Sequence, residues 1–344
     1  MVSIIIPVYN REKYISRAID SVLKQTFHDW ELLIVYDSGT DKTIDMVNNY
    51  CNIDTRIHCL SNEYSKCPAG ARNTGIKRAQ GKYIAFLDSD DEWVDIHLQE
   101  CMDALNTTKY SLCSALWIEN KFNQLHYINQ EFPSNHVFYQ ICEHFNVNMQ
   151  DKLWLFNRKF FEYIVYTDYF CSHIGTIVVE RDLLIKLNGF NVKFYRCEDM
   201  ELIYRLYQST SLVIVNNYHL IYHYGYDNLY AFTDHMKTSI DELRQDQEEL
   251  YKWITQAYYR ILSIESMLKL IDSSEYIQDK KKAKRFLSDV LYNRCMSYSY
   301  INRKYSIKNR LFGFIRAIKY MPQAFKEESM IPLPGYRKNN IITY

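Results

Sequence analysis

Glycine is scarce in this 344-residue sequence, with 9 residues, and proline scarcer still, with 6. No G-x-G-x-x-G follows an apolar run, so the dinucleotide fingerprint of an oxidoreductase is missing. Gly70 and Gly75 have the opening spacing of a phosphate loop, but Ile76-Lys77 stands where such a loop needs Lys followed by Ser or Thr. The nine cysteines are odd in number and include no C-x-x-C pair, which fits a reducing compartment rather than a disulfide framework or a zinc site. No apolar run reaches the roughly 18 residues of a membrane span. The segment Met1-Val-Ser-Ile-Ile-Ile-Pro7 has no basic leader and reads as a strand rather than a signal peptide. A cytoplasmic setting is therefore expected. Net charge is also missing, but zero hides an asymmetry: residues 251–344 carry 18 Lys and Arg against 7 Asp and Glu, and the first 250 carry 23 against 34. A basic C-terminal part can seek phosphates or anionic lipid, or can be a set of solvated helix faces.

The first hundred residues alternate strand and helix patterns. Apolar runs at Val2–Val8, Glu31–Tyr36, Arg56–Leu60 and Tyr83–Leu87 are separated by segments with helical spacing, among them Thr43–Tyr50 and Ala69–Ala79. Continuous apolar strands between helices predict a parallel sheet covered on both faces, with ligands bound beyond the carboxyl ends of the strands. The loops after Val8, Tyr36 and Leu87 should then share one crevice. Residues 111–166 are irregular, rich in aromatics and expected to mix helix and strand. Order resumes with a predicted strand at Gly175–Val179, helices near 181–187 and 199–208, and strands near 212–224. Helical periodicity runs from about Asp227 to Tyr320, with a domain boundary expected near 230–235 and two helix-sized halves in 280–322.

The strongest chemical signal is Asp88-Ser89-Asp90-Asp91-Glu92, directly after the fourth apolar run. Packed carboxylates repel and raise each other's pKa unless a cation neutralises them. Hard divalent ions take oxygen ligands, and Mg²⁺ keeps room for phosphate oxygens, so Asp-x-Asp at a rigid strand end suits a metal-bound diphosphate. The same residues would also serve as an acidic helix N-cap and first turn. Asp37–Asp41 is a polar turn in which Asp41 could cap a helix. In Ala69–Gly75, small residues permit close packing and Arg72 could reach a phosphate or base edge.

Taken together, Val2–Asn10, Ser21–Thr26, Asp37–Asp41, Ala71–Gly75 and Gly81–Asp91 resemble, in order and spacing, the inverting family 2 glycosyltransferases of GT-A fold. The resemblance implies an α/β GT-A-like nucleotide-binding domain over residues 1–230, with a central mostly parallel sheet. Residues 1–110 would be the nucleotide-sugar half and 111–230 the acceptor half, followed by a mainly helical region at 231–344. It implies that Pro7, Tyr9, Asn10 and Asp37 line the base and ribose, with Arg72, Asp88 and Ser89 also at the nucleotide sugar. Asp90 would hold Mn²⁺ or Mg²⁺ on the diphosphate. The pair Glu198-Asp199 resembles the family's Glu-Asp element, which makes Asp199 the general base, although a plain helix start reads the same way. Arg205 could meet a phosphate or pair with Glu201, and His223 could touch metal or phosphate or be structural. The usual first acidic residue after the second strand is here Tyr36, and Ser38-Gly39 reverses the usual order.

The expected reaction is inverting transfer of a hexose, from a UDP-linked donor, to a saccharide or lipid-linked acceptor in bacterial envelope polysaccharide synthesis. Basic residues around Lys280–Arg285 and Arg303–Arg316 are expected to touch anionic membrane; nucleic acid is not an expected partner. The alternatives are a sugar-nucleotidyltransferase, which needs a glycine-rich loop where this chain has Tyr9-Asn-Arg-Glu, and a non-catalytic sugar-nucleotide-binding scaffold.

Overall fold

The computed structural model describes residues 1–121, 123–127, 137–167, 171–224, 246–302 and 306–324. They divide into two compact units. The first comprises Met1–Ser134, Phe138–Phe160 and Phe170–Gly225; the second comprises Asn135–Val137, Phe161–Tyr169 and Tyr226–Tyr344.

The first unit is built on one sheet. Strands β1 (Val2–Val8), β2 (Trp30–Tyr36), β3 (Ile57–Ser61) and β4 (Tyr83–Phe86) pair in parallel in the order β3-β2-β1-β4. Beyond β4 lie β9 (Val178–Glu180), antiparallel to it, then β6 (Leu112–Lys121) and β10 (Leu212–Tyr224), parallel to each other. Strand β5 (Glu92–Trp93) and strand β8 (Leu153–Phe156) run antiparallel to β10, and β7 (Gln124–Tyr127) to β6. Strands β1, β2 and β4 are buried on both faces because helices cover them, which explains their unbroken Ile, Leu and Val runs.

Helices α1 (Ile15–Leu23), α2 (Thr43–Ile53) and α3 (Pro68–Arg78) link these strands. Helix α3 packs close: a Cβ on Gly75 would lie 2.6 Å from the Ile5 side chain, so only glycine lets the helix sit there. Its start is fixed by Cys67, whose sulfur accepts from the Gly70 N–H, and by Pro68 in the first turn. Helices α4 (His97–Thr108), α5 (Val137–His144), α6 (Phe160–Thr167), α7 (Arg181–Lys186) and α8 (Glu198–Ser209) follow along the chain, α6 belonging from Phe161 onward to the second unit.

Residues 111–166 are a mixture of strand and helix, with the long strand β6 at their start. One expectation changes. The strand expected at Gly175–Val179 begins only at Val178, because the Gly175 N–H donates to His173 Nδ1 at 3.1 Å and the Thr176 N–H to the His173 carbonyl at 2.9 Å, closing a 3-10 turn at Ile174–Thr176.

The second unit contains α9 (Gln247–Ser273), α10 (Lys280–Ile301) and α11 (Ile307–Ala324). Asp246 and Asp279 cap α9 and α10 by accepting from main-chain N–H groups at 2.9–3.0 Å. Gly313 brings α11 against α10, where a Cβ would stand 2.7 Å from the Cys295 carbonyl. The two helix-sized halves read in 280–322 are thus a packed hairpin. The boundary expected at 230–235, and the helical reading of 227–245, lie outside the described residues. No helix among the described residues is long and apolar enough to cross a membrane.

Candidate active site

The carboxyl ends of β1, β2 and β4 carry the motif residues, as the parallel arrangement requires. The loops after β1 and β2 are tied together by side chains. Asn10, at φ 51°, accepts from the Thr40 N–H at 2.7 Å. Asp41 accepts from the Glu12 and Thr43 N–H groups, both at 3.0 Å, so it holds the first N–H of α2, one residue ahead of the N-cap Lys42, and links the two loops. Asp37 is buried and accepts from Asn62 Nδ2 at 2.9 Å. Tyr36 does not reach outward: its hydroxyl donates to the Gly39 carbonyl at 2.6 Å. Pro7 is partly buried within β1, and Tyr9 is exposed, with the Lys66 ammonium 4.3 Å from its ring centre. Lys66 also donates to the Ser38 carbonyl at 3.3 Å. An exposed ring, a cation and buried Asp37 thus gather at one end of the cleft.

The acidic loop follows β4. Asp88 accepts from Arg72 Nη2 at 2.6 Å, and Arg72 Nη1 donates to Glu198 Oε1 at 2.7 Å. Arg72 is only 4 % exposed, so it serves as a buried tie between the acidic loop and the start of α8. Ser89 is buried. Asp90 is part-exposed, with Arg11 Nε at 3.7 Å and its main-chain carbonyl held by Arg17. Asp91 is fully buried; one carboxylate oxygen accepts from the His223 N–H at 3.0 Å, and the other, Oδ2, has no hydrogen-bond partner among the described residues. His223 places its Nε2 2.8 Å from Glu92 and its Nδ1 3.4 Å from Asn120, so both ring nitrogens face protein groups.

Helix α8 opens on Glu198 and Asp199 after Cys197, which sits in the left-handed region at φ 57°. Asp199 is half-buried, and one of its oxygens accepts from the Met200 N–H at 2.8 Å. Asn73 holds the preceding loop by a reciprocal pair of 2.8 Å bonds with Phe190. Arg205 pairs with Glu201 and donates to the Leu187 and Gly189 carbonyls at 2.7 and 2.8 Å, which makes it a loop brace rather than a free cation.

The electrostatics are unbalanced. Five carboxylates, Asp88, Asp90, Asp91, Glu198 and Asp199, share the region with Arg11, Arg17 and Arg72. Burial acts upward on Asp88, but Arg72 and then His173 outweigh it and hold that carboxyl below its usual value. Burial, then the charge of Asp88, raises Asp90; burial, then Asp90 and Asp88, raises Asp91 strongly. Burial raises Glu198 to about 7 against the pull of Arg72, and burial also raises Asp199. Excess negative charge of this kind is what a divalent cation neutralises. Asp90 and the orphaned Asp91 Oδ2 supply hard oxygen donors for one, so the residues fit a Mg²⁺ or Mn²⁺ ion.

Sequence reasoning missed Arg11, Arg17, Lys66 and His173. Arg11 immediately follows the Pro7–Asn10 motif, and that adjacency was its signal. His173 stacks between Trp117 and Tyr222 at 5.8 and 5.1 Å and feels the charges of Asp88 and Asp199. No motif announces it.

A mostly parallel sheet with an acidic loop beyond β4 and a carboxylate pair at a facing helix start is a GT-A-like nucleotide-sugar architecture. Residues 3–165 match the family model Glycosyl transferase family 2, so the resemblance drawn from the sequence is borne out over that span. The chain is 54 % identical over 94 residues to the Escherichia coli UDP-Glc:alpha-D-GlcNAc-diphosphoundecaprenol beta-1,3-glucosyltransferase WfgD, covering 27 % of this chain and 36 % of that protein. It is 43 % identical over 123 residues to WfaP of Escherichia coli, which bears the same activity name, covering 36 % of this chain and 48 % of that one. The chain thus spans less than half the length of these curated relatives. Among solved structures, S. aureus TarS 1-349 in complex with UDP-GlcNAc superposes over 94 % of this chain and 81 % of its own, with TM-score 0.62 and 17 % identity; that likeness concerns the fold.

Proposed function

We propose that this protein is a glycosyltransferase that moves a hexose from a UDP-linked donor to a lipid-linked saccharide acceptor with inversion. The observation that carries the reading is the carboxylate cluster at the end of β4, only partly balanced by Arg11, Arg17 and Arg72, together with Asp199 on α8. Tyr9, Asn10 and Asp37 would receive the base and ribose, beside Lys66. Asp88, oriented by Arg72, would meet the nucleotide, and Asp90 would hold Mg²⁺ or Mn²⁺. The ion, when bound, offsets charge growing on the leaving diphosphate. Asp199 would take the proton of the attacking acceptor hydroxyl as the oxygen closes on the anomeric carbon. A raised pKa strengthens it as a base near neutral pH. Attack opposite the leaving diphosphate inverts the centre.

The relatives named for diphosphoundecaprenol substrates support a lipid-linked acceptor. The exposed side chains Ile307, Leu311, Phe314, Ile315 and Ile318 of α11, interspersed with Lys308, Arg310 and Lys319, would suit contact with an anionic membrane presenting it. A donor-hydrolysis screen across UDP-, GDP- and dTDP-sugars with Mn²⁺ tests the reading. Turnover of a UDP-hexose is expected. Preference for GDP- or dTDP-sugars would refute the donor, and no turnover of any, with no nucleotide binding, would refute the enzyme.

A further inference from the structure

A second cluster of ligand-type side chains lies inside the first unit, away from the acidic loop. His97 and Cys101 stand four residues apart on one face of α4, and His219 faces them from β10; all three are fully buried. His97 Nδ1 and His219 Nδ1 are 3.1 Å apart, and Cys101 Sγ is 3.6 Å from the first and 3.8 Å from the second. A tetrahedral zinc with Zn–N near 2.05 Å and Zn–S near 2.3 Å puts its ligand atoms about 3.3 Å (N to N) and about 3.6 Å (N to S) apart. We propose that His97, Cys101 and His219 form a structural site for a zinc-class divalent metal.

The surroundings fit such an ion. His219 turns its other nitrogen, Nε2, to Glu100 at 2.9 Å, the carboxylate–histidine arrangement that orients a ligand ring. His97 Nε2 is buried without a hydrogen-bond partner, so besides its stacking on Trp93 the ring is fixed by what its Nδ1 binds. The Cys113 thiol on β6 neighbours that of Cys101 but donates to the Ser114 carbonyl at 3.5 Å, so a solvent oxygen rather than Cys113 would complete the four-coordinate set. Two imidazoles with a thiolate select zinc over the hard ions suited to the acidic loop. On binding, the Cys101 S–H proton leaves to solvent and the S–metal bond replaces it. The resulting positive charge is offset by Glu100. The ion would pin α4 to β10, and through Trp93, which stacks on His97 at 4.4 Å, would steady the strand β5 that follows Asp91. Counting cysteines for C-x-x-C pairs overlooks this set, because its three ligands are spread over 123 residues of sequence, from 97 to 219.

The test is metal analysis of the full chain purified without chelator, together with absorption spectra of protein produced in cobalt-supplemented medium. About one zinc per chain is expected, and the cobalt form should show a thiolate-to-cobalt charge-transfer band with the strong visible bands of four-coordinate cobalt. C101S should lose the charge-transfer band, and D90N should keep it and the zinc. Metal-free folded wild-type protein would overturn the proposal, leaving the two histidines sharing a proton. Bound metal without a thiolate band would overturn it too, since the ion would then lie elsewhere. The wild-type spectra decide alone if C101S does not fold.

Discussion

Individual side chains in the cleft fall into two groups, and the division gives distinct expectations. Arg72, through both Nη groups, Asn73 and Arg205 are held by protein partners, whereas Asp90 and Asp199 keep carboxylate oxygens available. Asp199→Asn should leave UDP affinity within about twofold while cutting transfer by roughly 100- to 10,000-fold, the usual worth of a positioned base. Steady-state transfer assays alongside calorimetry check this, and near-normal transfer would assign the base elsewhere. Because burial raises Asp199, its base form disappears as pH falls through that elevated value, so transfer in the wild type should fall on the acid side at a higher pH than an ordinary aspartate would give. Asp88–Asp91 and Asp199 were legible from residue types and order. The ties made by Arg72 were not, since Glu198 lies 126 positions away and only folding brings it to 2.7 Å.

Among the elements, packing constraints separate the strands that could be read from those that could not. Strands β1, β2 and β4 are short, doubly covered and almost wholly apolar, with only Ser3 and Glu31 interrupting, so the apolar run alone exposes them. Strand β6 begins equally apolar but ends in partly exposed Glu119-Asn120-Lys121, and its neighbour β7 is exposed throughout, which blurs the pattern. The 3-10 turn before β9 depends on His173 accepting from the Gly175 N–H, a local contest that favours the turn over extension. Helix α3 carries its own test. Gly75→Ala forces a methyl against Ile5 and should destabilise the protein by roughly 1–3 kcal/mol, as overpacking of a filled core does. Urea unfolding with an unchanged slope measures it. Helix α11 carries another: Leu311→Ser with Ile315→Ser should reduce sedimentation with anionic vesicles at low salt, and undiminished binding would remove α11 from any membrane contact.

At the scale of the whole molecule, the charge imbalance of the cleft links stability to pH. Glu198 titrates at about 7 in the folded chain against an ordinary value of 4.5. Its protonation therefore stabilises the fold fully below its unfolded value, and that contribution fades as pH rises through about 7. The difference in melting temperature between the wild type and Glu198→Gln should accordingly shift against the wild type between about pH 5 and about pH 8. A difference constant across that range would show that Glu198 is not held protonated.

The central claim, that the loop beyond β4 grips a divalent ion and through it the donor's diphosphate, has a direct measurement in calorimetric titration of UDP with and without Mn²⁺ into the wild type and Asp90→Ala. Mn²⁺ should tighten binding at least about tenfold in the wild type and have no effect in the variant, since Asp90 is the part-exposed carboxylate of the loop that Arg72 does not tie down. Equal Mn²⁺ dependence in both proteins would contradict the account and reduce the acidic cluster to a structural feature of the turn.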